Sequence, residues 1–221
     1  VCVSSIWNRI YAYTINEAEF LHELKGRTAK IIAAASLYHW NSSAVSETAA
    51  LYPEMTVREI PIELSGREVN AMLEHCYEKC LGLAEHIRNI KDIQKKEAFE
   101  VLIHGRIPVM QSTQCLKKTT GHCNKTSEEI WLEDKKGRKL PVTTHCRECY
   151  NLIWQDKPYD LIGEDLTGSI PYVTRHRFDL FHMSEKEIKE MKDRYLIWQE
   201  NHFMCDLQKD DTEHHWNYGI E

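Results

Sequence analysis

Four cysteines fall within one stretch of 35 residues: Cys115 and Cys123 with seven residues between them, then Cys146 and Cys149 as Cys-x2-Cys. A Cys-x2-Cys pair puts two thiolates on one ion, because a tight turn brings the side chains together. A second pair across a hairpin completes a shell of four. Zinc and iron–sulfur clusters both accept four thiolates. Spacing alone favours a structural zinc site, although the first pair is looser than zinc ribbons use. The plain alternative is four unrelated thiols, and the concentration of half the chain's eight cysteines here speaks against it. His122 and His145 each precede a cysteine and are expected to act behind the ligands or on the surface. Cys76 and Cys80, four apart, share a helix face and read as packing residues. Cys2 and Cys205 show no partner pattern. His214 and His215 are neighbours on an extended tail, point to opposite sides, and are expected to bind no metal.

Composition sets the frame for this constellation. The chain has 221 residues, 42% hydrophobic and 28% charged, enough for one ordinary core without help from disulfides or metal. No apolar stretch approaches the roughly 20 residues that span a bilayer. No charged and apolar leader opens the chain, so neither a signal peptide nor membrane association is expected, and a cytoplasmic location is. Without a secretory signal, eight cysteines favour metal or redox chemistry over disulfides. The chain opens Val1-Cys2-Val3 without an initiator Met, which reads as part of a longer chain. Net charge is −6, yet residues 104–147 hold nine lysines and arginines against four acids. The cysteine region is thus a basic block in an acidic chain, either a solvated lysine-rich hairpin or a surface for phosphates.

The elements that must position the cysteines follow from periodicity. Val1–Ser5, Lys30–Ala35, Val57–Leu64, Ala98–Ile103 and Arg175–Phe181 read as strands. Asn16–Leu24 and Ser43–Leu51 read as helices. Ser65-Gly66-Arg67-Glu68 and Ser184-Glu185-Lys186-Glu187 are capping boxes. The first opens a helix expected to run at least to Leu83, the second a helix to about Gln199. Between them Ile130–Glu133 and Lys139–Thr143 flank Asp134-Lys135-Lys136-Gly137, a hairpin with glycine at the left-handed position. Strand–helix alternation predicts parallel α/β architecture, a barrel or an open sheet. Three segments result: a strand–helix half barrel over 1–103, a four-cysteine insert with its hairpin over 104–160, and a final strand–helix unit and polar tail over 161–221. No Gly-x-Ser-x-Gly elbow, His-Glu-x-x-His, P-loop or dinucleotide-binding glycine pattern occurs.

Several stretches carry a family resemblance. They are Ala98–Pro108 (Ala-Phe-Glu-Val-Leu-Ile-His-Gly-Arg-Ile-Pro), Val109–Cys115, Leu140–Asn151 (Leu-Pro-Val-Thr-Thr-His-Cys-Arg-Glu-Cys-Tyr-Asn), Ser36–Asn41, Ile60–Leu64 and His215–Glu221. Together they resemble the collagenase-like peptidase family U thirty-two, in its long bacterial branch. The sequence departs from the family pattern at Lys135, at Gln155-Asp156 and at Tyr218.

The resemblance implies a (β/α)-barrel-type half domain with a cysteine-bearing β-hairpin insert, completed by an N-terminal barrel half outside this sequence. It implies a four-iron, four-sulfur cluster on Cys115, Cys123, Cys146 and Cys149, which reverses the preference for zinc. It also implies either oxygen-independent hydroxylation of an RNA base or similar ring, or, as the family name says, peptidase action on peptides. A zinc-stapled binding module without catalysis is the third reading. Arg106, Gln114 and Arg147 are candidate substrate contacts beside the cluster, and the basic 104–147 window is a candidate RNA surface.

Overall fold

The computed structural model of the protein describes residues 12–16, 30–52, 55–76, 98–166, 173–201 and 216. The expected strand at Val1–Ser5, most of the helix at Asn16–Leu24, the first helix beyond Cys76, and the positions of Cys2, Cys80, Cys205, His214 and His215 lie outside these residues. The chain divides into two compact units. One comprises Val1–Ile103, Ile162–Arg177 and Arg194–Glu221; the other comprises His104–Leu161 and Phe178–Asp193.

The first unit is built on parallel strands β1 (Ala12–Ile15), β2 (Lys30–Ala33), β3 (Met55–Glu59) and β4 (Ala98–Gly105), followed in sheet order by β10 (Val173–Phe178). Parallel neighbours need long crossovers. Helix α1 (Ser42–Leu51) lies between β2 and β3, and α2 (Gly66–His75) between β3 and β4. Asn41 caps α1 by accepting the Ala44 amide at 2.9 Å. Ser65 and Glu68 form the complete capping box that opens α2. Strand β3 stops at Glu59, short of the expected Leu64. Pro61 has no amide to offer a ladder, and Leu64 turns back to the Pro61 carbonyl at 3.3 Å. Phe99, Val101, Leu102 and Ile103 of β4 are all buried, as a strand covered on both faces requires. Ile15, Ile31, Ala33 and Met55 form a core cluster under Leu37 and Tyr52. Helix α4 (Glu185–Glu200) ends in this unit, where Tyr195 meets His176 Nδ1 at 2.8 Å and Trp198 is fully buried.

Buried charge collects where β2 and β3 end. Glu59 accepts the Ala35 amide at 3.0 Å and pairs with Arg177 at 2.6 Å. Burial pushes its carboxyl above the ordinary range, against the pull of Arg177 and of the Ala35 amide. His39, also buried, places Nε2 3.1 Å from Thr48 Oγ1. Burial, aided by the Arg58 guanidinium, lowers its pKa from 6.5 to about 4. A base whose folded pKa lies below its unfolded value keeps its full contribution above the unfolded pKa and loses it as the pH falls toward the folded one. His39 therefore costs the fold stability between pH 6.5 and about 4, on the order of 3 kcal/mol in all. Urea midpoints measured down this range are expected to fall less steeply in His39→Gln than in the wild type; equal slopes would clear His39.

The second unit is an antiparallel sheet in the order β5-β8-β7-β6, with β5 (Pro108–Ser112), β6 (Glu129–Glu133), β7 (Lys139–His145) and β8 (Tyr150–Trp154). Strands β6 and β7 form the expected hairpin, with Gly137 at φ +79°. The Asp134 side chain accepts the Lys136 and Arg138 amides at 2.7 and 2.9 Å. The Arg138 amide and then its guanidinium hold that carboxyl below its ordinary pKa. Strand β9 (Tyr159–Asp160) pairs antiparallel with the end of β4.

The half-barrel expectation is therefore corrected. The fold is mixed α/β with two sheets, one mixed and one antiparallel. Strand β9 breaks the parallel pattern at the end of β4, and no pairing among the described residues joins β10 back to β1. The cysteine segment supplies a four-stranded sheet of its own rather than a hairpin insert. Strand–helix alternation is a local signature common to open and closed sheets, and closure depends on distant pairings that it does not encode.

Candidate metal centre

Sheet register brings the four cysteines to one end of the second unit. Ser112 pairs with Asn151, His145 with Tyr150, and Glu129 with Thr143. The ends of β5 and β7 and the starts of β6 and β8 thus lie together. Cys115 follows β5, Cys123 lies in the link from β5 to β6, and Cys146 and Cys149 form the turn from β7 to β8.

Three of the four cysteines are held by contacts within their loops. Cys115 caps the one-turn helix α3 (Leu116–Thr119), its Sγ accepting the Lys118 amide at 3.4 Å. Gly121, at φ +76°, lets the chain turn out of α3 toward Cys123. The Cys146 amide donates to Ser127 Oγ at 3.0 Å, and its Sγ donates to the Thr126 carbonyl at 2.9 Å. Cys149 adopts φ +58°, and its Sγ faces the Cys146 carbonyl at 3.6 Å. Two buried side chains bind the loops to the sheet. Asn151 donates to the Ser112 and Gln114 carbonyls at 3.3 and 2.8 Å. Thr144 Oγ1 accepts the Glu128 amide and donates to its carbonyl, each at 2.8 Å.

All four cysteines are free and at least partly exposed. Their donor chemistry suits zinc or an iron–sulfur cluster. Among the described residues, no three or more Cys, His, Asp or Glu side chains converge on a point that would hold a metal ion. Topology gathers the thiols at one end, while the Cys146 and Cys149 side chains are turned onto backbone carbonyls. His145 stacks on Tyr150, with ring centroids 4.3 Å apart, and His122 is exposed.

The three candidate substrate contacts differ in how free they are. The Arg106 guanidinium is tied to the Gln155 carbonyl at 2.8 Å and to that of Asp156. Gln114 is exposed, its amide 3.5 Å from Thr119 Oγ1. Arg147 is 93% exposed, 3.8 Å from Glu148. Of the other bases in the window, Lys118, Lys125, Lys135, Lys136 and Lys139 face solvent, and Arg138 pairs with Asp134 at 2.7 Å.

Three features of this unit are not visible in the sequence. Lys117, counted among the surface charges, is buried and bonded to Asn124, Thr126 and Glu128. Burial lowers its ammonium pKa; the bond to Glu128 and that carboxylate's charge outweigh this, with Cys146 and Cys123 adding, so that it stands above the ordinary lysine value. Buried His104 lies with Nδ1 3.4 Å from Asp160, a pair created by the two-residue strand β9. His182, at φ +61°, sits 2.9 Å from Glu129 through Nδ1 and 3.2 Å from Thr143 Oγ1 through Nε2, and the same hydroxyl accepts Trp154 Nε1 at 3.0 Å. The only available signal was for Lys117: a lysine inside a loop between two candidate ligands.

No family model, curated protein or solved structure matches the chain.

Proposed function

We propose that Cys115, Cys123, Cys146 and Cys149 hold a four-iron, four-sulfur cluster, and that the protein is an enzyme of oxygen-independent hydroxylation acting on an RNA base or a similar ring. The observation that carries the metal part is the placement of four free thiols on two connections at one end of a single sheet. Iron over zinc rests on the resemblance to the collagenase-like peptidase family U thirty-two, and hydroxylation is placed before proteolysis because the sequence carries none of the standard serine or zinc hydrolase patterns. A cluster of this kind supplies one-electron redox capacity when bound. Exposed Lys118, Lys125 and Arg147, in the same loops as the cysteines, supply positive charge beside it, suited to phosphates. Free thiols in this number suit a reducing compartment, consistent with a cytoplasmic site of action. Among the described residues no helix is long and apolar enough to cross a membrane.

Anaerobic purification and reconstitution with ferrous iron and sulfide tests the reading. The expected product is brown, with broad visible absorption and four irons per chain. Zinc bound without iron under these conditions makes the site a structural staple. Nucleoside mass spectrometry of RNA from a strain lacking the gene tests the substrate: a lost hydroxylated nucleoside, restored by the wild type, is the expected result.

A further inference from the structure

Lysine is seldom fully buried unless paired, and Lys117 is 4% exposed. Its ammonium has three N–H groups and meets three acceptors: Asn124 Oδ1, the Thr126 carbonyl at 2.8 Å, and Glu128 Oε1. Lys117 therefore has no donor left over for a sulfur, and any influence on the cysteines acts through space. One sulfur is nevertheless close. The Thr126 carbonyl that accepts from Lys117 also accepts from Cys146 Sγ at 2.9 Å. Lys117 follows Cys115 by two residues, and Cys123 is within electrostatic reach of its ammonium. A divalent ion inside four thiolates leaves two negative charges in excess. Glu128, 44% exposed, is partly screened by water and cancels Lys117 only in part.

We propose that Lys117 is the fixed counter-cation of the four-cysteine centre and that Glu128 attenuates it. The inference rests on the reading that these cysteines hold a metal. Its rival is a purely mechanical role, in which Lys117 ties the 124–128 loop to α3. The two accounts differ in sign at Glu128. Glutamine there keeps the shape and an acceptor for Lys117 but removes the negative charge. A counter-cation freed of its attenuator tightens the metal; a loosened tie weakens it.

The test uses Co²⁺ alone as probe. It is titrated anaerobically into the reduced full chain, read by its thiolate charge-transfer bands, and competed with a chelator. Lys117→Met is expected to weaken Co²⁺ by about tenfold or more, the scale of changes just outside a ligand shell. Glu128→Gln is expected to tighten it several-fold, and the double variant to return toward wild type. Unchanged affinity in Lys117→Met, or weakening in Glu128→Gln, overturns the proposal. If Lys117→Met does not fold, the sign of the Glu128→Gln effect decides alone. A wild type that takes up no Co²⁺ removes the four-cysteine reading and this inference with it. A wild type that binds while both variants match it removes only the inference.

Discussion

Alanine at Cys149 is expected to abolish metal retention while leaving the chain folded. Three thiolates leave one coordination position open to water and competing thiols, so the affinity loss is expected to exceed the roughly 100-fold attributed to changes behind a ligand shell. Cys149 is well suited to this test because it already stands at φ +58°. Alanine keeps the same left-handed strain, so the backbone reference is unchanged. Glycine removes that strain, worth about 1 kcal/mol; Cys149→Gly is expected to raise the stability of the metal-free chain while losing the metal. Cys76→Ala is the control: Cys76 is buried in the other unit and its loss is expected to cost stability without touching metal stoichiometry. Metal per chain after reconstitution and desalting is the readout. Full retention in Cys149→Ala would remove this residue from the ligand set.

Gly105→Ala is expected to be among the most destabilising single changes in the second unit. A Cβ at this position would lie 2.5 Å from Asp179 Cβ, 3.0 Å from its carbonyl oxygen and 3.2 Å from its Cα. These are not the ends of flexible side chains. Asp179 is held on both sides, its amide donating to the His104 carbonyl at 2.8 Å and its carboxylate accepting the Phe181 amide at 3.1 Å. Making room means parting the backbone at the end of β4, for about 3 kcal/mol by analogy with overpacked cores. The stiffer unfolded chain returns less than about 1 kcal/mol of this. A urea midpoint equal to wild type would show that Asp179 moves aside freely.

The features legible in the sequence are those in which neighbouring residues settle the matter among themselves. Ser65 with Glu68 and Ser184 with Glu187 announce two helix starts, and both boxes form. Asp134 to Gly137 announces a hairpin, because one carboxylate collects the amides of its own turn. The remainder depends on partners far apart in the chain. Strand β5 reads Pro-Val-Met-Gln-Ser and is exposed along almost its whole length, so no alternation marks it, and it becomes a strand by pairing with β8 some forty residues later. The His104–Asp160 pair exists only because a two-residue strand returns to β4. The cysteines were visible as a constellation, since residue type and spacing carry that information. Lys117 was not, because a lysine in a polar loop reads as solvated until the acids and carbonyls that enclose it are placed.

Thr143 joins three side chains into a sequence with a direction. A carboxylate such as Glu129 can only accept, so His182 Nδ1 must carry a hydrogen. In a neutral ring Nε2 is then an acceptor, and the donor facing it is the Thr143 hydroxyl. That oxygen in turn accepts from the Trp154 indole. Every hydrogen from indole to carboxylate consequently points the same way, and the bond dipoles add head to tail instead of cancelling. The imidazole thereby has its tautomer assigned by two strands of the sheet, and the far end of that polarity is a glutamate at the surface, where the solvent can read it.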